Sequence, residues 1–599
     1  EDCVHSLAFE GSRFREGVIE RHLDGTCEWL FQSHAYSRWI DEHGLLLIRG
    51  NPGSGKSTLL KFALENQREA VVSTTCLVMS FFFYSSGTEL QRSLAGLTRL
   101  LLLQLCEQDA NSKNSFHEIC RNRWIAEQKK NEEMKWHQNE LQGIFERLVL
   151  ECSTRRETTI FIDAVDECRD QDRDHLIRLF HRLRGRAQMR QKRPRVCFTC
   201  RLYPDGQINE DFVIRLEEKS QHDIQAFIEQ ELRLPDEKES AVNDLNQFLY
   251  IKANGIFLWL LLVIQQVHEM SAKGLSLKFI RSEISKCPQE LDGLYEDLVR
   301  RIEDAELLEA GTLFQWVCFG RRPLSLDELR TAMTVHLSGG KRSIAEYEDE
   351  NNPDYIINNR KMKKKMIHLS RGMIDIANAK PAEGSSLVGF YHETIKSFML
   401  AKGLQYLNSR LLKGRRLAET ADLQLANTCI NYLSTEEICT VFSGEETHLP
   451  TRFFLLEYAA TNWLSHAIAA ERAGCGEHVR WPSQNILDAW VSICRCSTSN
   501  PTKHPERGTS LIHIAAEHGL ERLAKGIYMR TIRETCIEAL TTGGALLHIG
   551  NKDGWTPLHE ASYHGHIRVC RLLLEHRADP DLPDHQGRTP LYLASRNGH

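Results

Sequence analysis

Leu45-Leu46-Leu47-Ile48-Arg49-Gly50-Asn51-Pro52-Gly53-Ser54-Gly55-Lys56-Ser57-Thr58-Leu59-Leu60 passes from a wholly apolar run, through a glycine-rich turn, into a segment with a helical start. An uninterrupted apolar run of this length fits a strand buried on both faces of a parallel sheet. The turn itself, Gly50 to Ser57, has the form G-x-x-x-x-G-K-[ST] and stands where the chemistry needs it, after a strand and before a helix. Glycines let backbone N–H groups turn inward around phosphate oxygens, and the following helix offers its positive N-terminus. The pattern therefore assigns Gly50, Asn51, Pro52, Gly53, Ser54, Gly55, Lys56, Ser57 and Thr58 to a nucleotide phosphate site. Lys56 would reach the β- and γ-phosphates, and the Ser57 hydroxyl would ligate Mg2+.

Working outward, short apolar runs recur at Leu77 to Phe83, Ile160 to Ile162, Val196 to Thr199 and Phe212 to Leu216. Helical spacing lies between them, as in Leu90, Leu94, Leu97, Leu101 and Leu105 behind a Thr88-x-x-Gln91 capping box. Strands alternating with helices imply an α/β sheet with right-handed crossovers. A phosphate loop also calls for an acidic residue at the end of another buried strand, and Ile160-Phe161-Ile162-Asp163-Ala164-Val165-Asp166-Glu167 supplies it. Asp163 is the candidate for the Mg2+ shell, with Asp166 or Glu167 to orient an attacking water or take its proton. The next strand ends in Cys200-Arg201, and Arg201 is a candidate sensor of the γ-phosphate. The basic run from Arg182 to Arg195 reads either as a solvated helix end or as a nucleic-acid contact.

Beyond about residue 222 helical periodicity replaces the strand signals. Arg322-Pro323-Leu324-Ser325-x-x-Glu328 opens a short helix with a capping box, and Gly389-Phe390-Tyr391-His392 leads into another; small helices with a β-prone stretch fit a winged-helix module. Gly339 to Lys365, carrying Lys361 and Lys363 to Lys365, reads as a solvated loop. Near the end, Asp553-Gly554-Trp555-Thr556-Pro557-Leu558-His559-Glu560-Ala561 is echoed 33 residues later by Gln586-Gly587-Arg588-Thr589-Pro590-Leu591-Tyr592-Leu593-Ala594. That period marks a repeat array, with a degenerate earlier copy at Ser510 to Ala516. Thr556 and Thr589 would cap helices, Pro557 and Pro590 would fill first turns, and Gly565 and Gly598 would end them.

Composition sets the outer bounds. The 599 residues are 41% apolar and 26% charged, with 75 Lys and Arg against 81 Asp and Glu, which disfavours disorder, collagen and a generally basic nucleic-acid binder. The longest apolar run, Ile256 to Ile264, is nine residues, against roughly 20 for a bilayer span. Eighteen scattered cysteines read as reduced thiols of an intracellular protein, and the pairs Cys197-x-x-Cys200 and Cys494-x-Cys496 lack a second pair at zinc-finger spacing. The chain begins with Glu1 and stops inside a repeat, so both ends are expected to be cut.

With these residues in place, the chain resembles a NACHT-type STAND ATPase of the fungal NLR-like class, with a nephrocystin-like NACHT domain and C-terminal ankyrin repeats. The resemblance rests on the phosphate loop, on Asp163-Ala164-Val165-Asp166-Glu167 with its small residue after the first Asp, and on Thr26-Cys27-Glu28-Trp29-Leu30. Arg195-Val196-Cys197-Phe198-Thr199-Cys200-Arg201 and Lys252-Ala253-Asn254-Gly255-Ile256-Phe257-Leu258-Trp259 extend it. It implies a multidomain α/β plus α chain: an N-terminal helical flank (1–44), a P-loop NTPase core (45–222), a helical domain (223–302), a winged-helix-like domain (303–405), a helical linker (406–505) and an ankyrin solenoid (506–599). It also implies ADP or ATP with Mg2+ as cofactors, and a winged-helix histidine touching the β-phosphate of ADP; His392, in Phe390-Tyr391-His392-Glu393-Thr394, is the matching residue. Gly255-Ile256-Phe257 departs from the Gly-Leu-Pro of plant-type relatives near the adenine. The implied activity is a cytoplasmic signalling switch with slow ATP hydrolysis as its reset. Its repeats would bind a protein ligand, nucleotide exchange would drive homo-oligomerisation, and its role would lie in innate immunity or non-self recognition. An ankyrin scaffold with a structural nucleotide, and a nucleic-acid-stimulated ATPase, are the rival readings.

Overall fold

The computed structural model describes residues 2–9, 11–70, 76–85, 87–128, 136–188, 194–201, 212–377, 387–411, 417–442, 452–497, 509–534 and 547–599. They divide into two compact units, Glu1–Leu298 with Arg371–Ser397, and Val299–Ser370 with Phe398–His599.

The first unit is built on a five-stranded parallel sheet of β1 (Gly44–Arg49), β2 (Cys76–Phe82), β3 (Glu157–Asp163), β4 (Arg195–Cys200) and β5 (Phe212–Arg215), in the order β2-β3-β4-β1-β5. Alternation along each strand explains the unbroken apolar runs. Leu45 and Leu47 of β1, with Phe198 of β4, join one core against the helices Leu94–Gln108, Gln138–Ser153 and Asp170–Gln188. Leu46 and Ile48, with Cys197, join the other against Lys56–Ala70 and His34–Glu42. Cys197 and Cys200 thus face opposite sides of the sheet, each a buried free thiol. β2 lies at one edge, and two glutamines of Leu94–Gln108 complete its hydrogen bonding in place of a further strand. Ser80 N–H donates to Gln104 Oε1 at 2.9 Å while Gln104 Nε2 donates to Ser80 O at 2.8 Å, and Gln108 pairs likewise with Val78.

The Thr88-x-x-Gln91 cap forms one turn earlier than the helix it was expected to open. Gln91 Oε1 accepts from Thr88 N–H at 2.7 Å, but Leu90–Arg92 is a single 3-10 turn, and the helix begins at Leu94 behind Ser93, whose hydroxyl accepts from Gly96 N–H. A side chain at Gly96 would meet the Leu90 carbonyl at 1.8 Å, so this glycine permits the close turn. Helices from Gln221 to Leu298 follow the sheet, and an antiparallel hairpin of β6 (Ile374–Ala377) and β7 (Leu387–Phe390) belongs to the same unit.

The second unit is helical among its described residues. Ser325 and Glu328 form the expected capping box at Leu326–Ser338. The lysines read as part of a loop lie instead on a helix, Asn359–Leu369, capped by the Asn358 side chain. Met362, Met366 and Leu369 bury one face of it, an i, i+4, i+7 stripe interleaved with the lysines. Leu417–Leu433 packs along Leu456–Arg472. In the repeats, Thr556 caps Pro557–Tyr563 and Thr589 caps Pro590–Asn597, and Gly565 and Gly598 have left-handed φ of 71° and 78°. The histidine of each Leu-x-His or Pro-Leu-His turn joins neighbouring repeats: His513 Nε2 lies 3.0 Å from the carbonyls of Ile549 and Trp555, and His559 Nε2 lies 3.1 Å from that of Arg588. Among the described residues no helix is long and apolar enough to cross a membrane.

Candidate functional site

The carboxyl ends of β1, β3 and β4 lie on one edge of the sheet, the place where open parallel sheets bind ligands. The loop Gly50 to Gly55 leaves β1 there and turns into Lys56–Ala70. Its glycines are required by space and by backbone. Gly53 has φ +73°, and a Cβ on it would stand 2.6 Å from Leu258 Cβ, while one on Gly50 would stand 2.6 Å from Ser54 Oγ. Leu258 N–H donates to Gly53 O at 3.2 Å, so the Gly255-Ile256-Phe257 segment lies directly against the loop. Lys56 Nζ donates to the carbonyls of Gly50 and Asn51 at 2.8 and 2.7 Å. Burial holds its pKa below the ordinary lysine value, and Asp166 and Asp163 act in the opposite direction. Asn51 N–H donates to Glu217 Oε1 at 2.6 Å.

Asp163, the last residue of β3, is fully buried. Its Oδ1 accepts from the Thr199 hydroxyl at 2.6 Å, and Thr199 Oγ1 in turn accepts from Ala164 N–H at 2.7 Å. Thr199 therefore ties β3 to β4 at the site, a role the sequence reading did not assign. Ala164 is held in the left-handed region at φ 53°, ψ 51°, which turns the chain sharply from β3 into Val165–Glu167 and accounts for a small residue after Asp163. Burial raises the Asp163 pKa, countered by Thr199, Arg15, Ser57 and Lys56. Its Oδ2 and the Ser54 hydroxyl are buried polar atoms without a hydrogen-bond partner in the protein. A buried carboxylate oxygen left over beside Ser57 and Lys56 is the chemistry a hard divalent cation and its phosphate ligand would satisfy, so these residues fit Mg2+ and a nucleotide.

The two acidic residues after Asp163 are in different situations. Asp166 is committed to Arg201: Oδ1 accepts from Arg201 N–H at 3.1 Å and Oδ2 pairs with Arg201 Nε at 2.9 Å. Glu167 Oε2 accepts from both the N–H and the hydroxyl of Ser85 at 3.1 Å, and burial pushes its pKa up to about 7. His392 belongs to the same unit, just after β7. Its Nδ1 accepts from Thr394 N–H at 3.2 Å and lies 2.9 Å from Thr394 Oγ1, which is also 2.8 Å from Tyr295 OH. Burial, with Arg15, Lys56 and Arg201 adding positive charge, pushes its pKa down to about 3. The imidazole is neutral, and acceptance at Nδ1 leaves its proton on Nε2. In the basic run, Arg182 pairs with Glu146 and Arg195 with Glu157, whereas Arg190, Lys192 and Arg193 lie outside the described residues.

Residues 25–201 match the family model described as nephrocystin 3, N-terminal, and residues 512–599 match ankyrin repeats. Vegetative incompatibility protein HET-E-1 of Podospora anserina is 26% identical over 368 residues, 56% of this chain and 25% of that protein. Ankyrin repeat and SOCS box protein 2 of Bos taurus is 43% identical over 77 residues, 12% of each. This chain thus spans a quarter or less of the length of these curated relatives. The Aeropyrum pernix ORC1 protein in complex with DNA aligns over 68% of this chain and 98% of its own at 11% identity, with a TM-score of 0.27.

Proposed function

From a chain that joins a NACHT-like P-loop NTPase module to C-terminal ankyrin repeats, the NLR-like arrangement, we propose a STAND-type signalling switch set by whether ADP or ATP occupies the loop Gly50 to Thr58. The observation that carries this reading is that one compact unit sets Lys56 against Asp166 and Asp163, pairs Arg201 with Asp166, and buries a neutral His392 in the field of Lys56 and Arg201. In this reading Ser57 and Asp163 hold Mg2+, which supplies charge neutralisation at the phosphates. His392 Nε2–H donates to the β-phosphate of ADP and latches the resting form, and residues 303–405 act as the winged-helix-like element that carries it. Asp166 fixes Arg201 for the γ-phosphate, and Glu167, with a pKa near neutrality, is the base for a slow resetting hydrolysis. The ankyrin repeats take up a protein ligand, and exchange of ADP for ATP leads to homo-oligomers. The γ-phosphate must favour the active form over the resting one, because a nucleotide of equal affinity for both shifts nothing.

The test is to purify the full chain, denature it and identify released nucleotide by chromatography, with Lys56→Ala alongside. Near-stoichiometric ADP, absent from Lys56→Ala, is the expected result. Wild-type protein that is empty and fails to bind added ATP would overturn the switch and leave the ankyrin scaffold. His392→Ala is expected to release ADP faster and to assemble by light scattering; an unchanged off-rate and mass would remove His392 from the latch.

A further inference from the structure

A further cation faces the same carboxylates from outside the family-matched residues 25–201: Arg15, on the short helix Phe14–Val18. That helix is pinned on both sides of it. Glu16 pairs with Arg68 at 2.5 Å and accepts from the Ser80 hydroxyl at 2.9 Å, Arg13 pairs with Glu107 at 3.1 Å, and the Phe14 and Tyr84 rings lie 5.8 Å apart. Between these anchors the Arg15 guanidinium lies over the Tyr84 ring, 5.6 Å from its centre. Tyr84 and Ser85 leave β2 at the carboxyl edge of the sheet, and Ser85 is the residue that holds Glu167. The seat over Tyr84 therefore sets a positive charge at the nucleotide edge. Electrostatics agree, since Arg15 favours the ionised forms of Asp163 and Glu167 and disfavours a charged His392.

Among the described residues Arg15 forms no direct ion pair, and its Nε is buried without an acceptor. Its neighbours Arg13 and Glu16, one on either side along the chain, are both paired. A shielded guanidinium with no anion in direct contact is costly unless some ligand supplies that contact. Resting on an aromatic ring leaves the N–H edge of the fork open, and that edge matches a phosphate in a way an ammonium does not.

We propose that Arg15 reads the terminal phosphate of a nucleoside triphosphate bound at Gly50 to Thr58, seating the helix Phe14–Val18 more firmly with ATP than with ADP. This rests on the nucleotide reading above and adds to it a device by which the segment ahead of the NTPase module senses which nucleotide is bound. The contact exists only when a γ-phosphate is present, so it discriminates between the two nucleotides and does not merely add affinity.

The experiment is calorimetric titration of the full chain with ATPγS and with ADP, in Mg2+, for wild type, Arg15→Gln, Arg15→Lys and Arg13→Gln. Arg15→Gln is expected to weaken ATPγS by about 10- to 100-fold, the scale of one charge-assisted hydrogen bond, with ADP held within about threefold. Retained ADP binding shows the site intact. Arg13→Gln, which removes only the pair with Glu107, should match wild type. If Arg15→Gln does not fold, Arg15→Lys, which keeps the charge and loses the fork, should still lose ATPγS preferentially, by about fivefold or more. An unchanged ATPγS-to-ADP ratio in the folded Arg15 variants, or equal losses for both nucleotides, overturns the Arg15 assignment and leaves the nucleotide site standing. Wild-type protein that binds neither nucleotide overturns both.

Discussion

Thr199→Val is nearly isosteric and removes only a hydroxyl, but that hydroxyl closes two hydrogen bonds in a fully buried place. It donates to the Asp163 carboxylate at 2.6 Å and accepts from Ala164 N–H at 2.7 Å. A bond to a charged group contributes about 1.5–3 kcal/mol, and a buried amide left without an acceptor costs about 1–3 kcal/mol more. Allowing for the hydroxyl that no longer needs burying, the local loss is about 3–5 kcal/mol, falling on the β3–β4 junction and not on the whole chain. The assay is hydrogen exchange by mass spectrometry on the peptide covering 157–168, under conditions where the opening equilibrium sets the rate. At 1.36 kcal/mol per tenfold change, exchange should accelerate by roughly two to three and a half powers of ten. Thr199→Ser restores both bonds and gives up one methyl, so it should stay within about tenfold of wild type. Wild-type protection in Thr199→Val, or equal damage in the serine variant, would refute this account of how Asp163 is held.

Glu167 has a folded pKa of about 7 against an ordinary 4.5, so between those values the folded state keeps a proton that the unfolded chain has lost. Stability must therefore fall as pH rises through that window, and melting curves of Glu167→Gln should lack this component; parallel pH profiles would contradict it. Ala164 sits in a left-handed conformation that costs a residue with a Cβ about 1–2 kcal/mol, so Ala164→Gly should be tolerated within about 1 kcal/mol by chemical denaturation. Ala164→Val, with a β-branched side chain in the same place, should lose more than about 2 kcal/mol. His559→Ala removes an acceptor for Thr556 N–H and strands the Arg588 carbonyl, and should destabilise the repeats by about 2–4 kcal/mol, read as faster exchange in 551–599 with the first unit unchanged.

Much of the fold was legible because its signals are local. Unbroken apolar runs marked strands buried on both faces, the spacing of Gly50, Gly55 and Lys56 marked the turn between strand and helix, and Thr-Pro-Leu at a 33-residue period marked the repeats. The lysine-rich stretch at 361–365 was misread because charge drew attention from Met362, Met366 and Leu369, whose spacing already described a helix face. The start of the helix at Leu94 was misplaced because leucine periodicity runs through the turn that Ser93 and Gly96 impose.

What the sequence determined by itself was the set of elements and the identity of the phosphate loop, since glycine conformation and side-chain periodicity act over a few residues. Tertiary structure alone decided how the acidic and basic groups are shared out. Thr199 and Asp163 are 36 residues apart and meet only because β4 is inserted beside β3. The same insertion brings Arg201 to Asp166 and leaves Glu167 to Ser85. Arg15 reaches this edge only because its helix is anchored to residues 68, 80 and 107. A charge acts through space, and its role is settled by which neighbours the fold delivers, an ordering that no local pattern in the chain records.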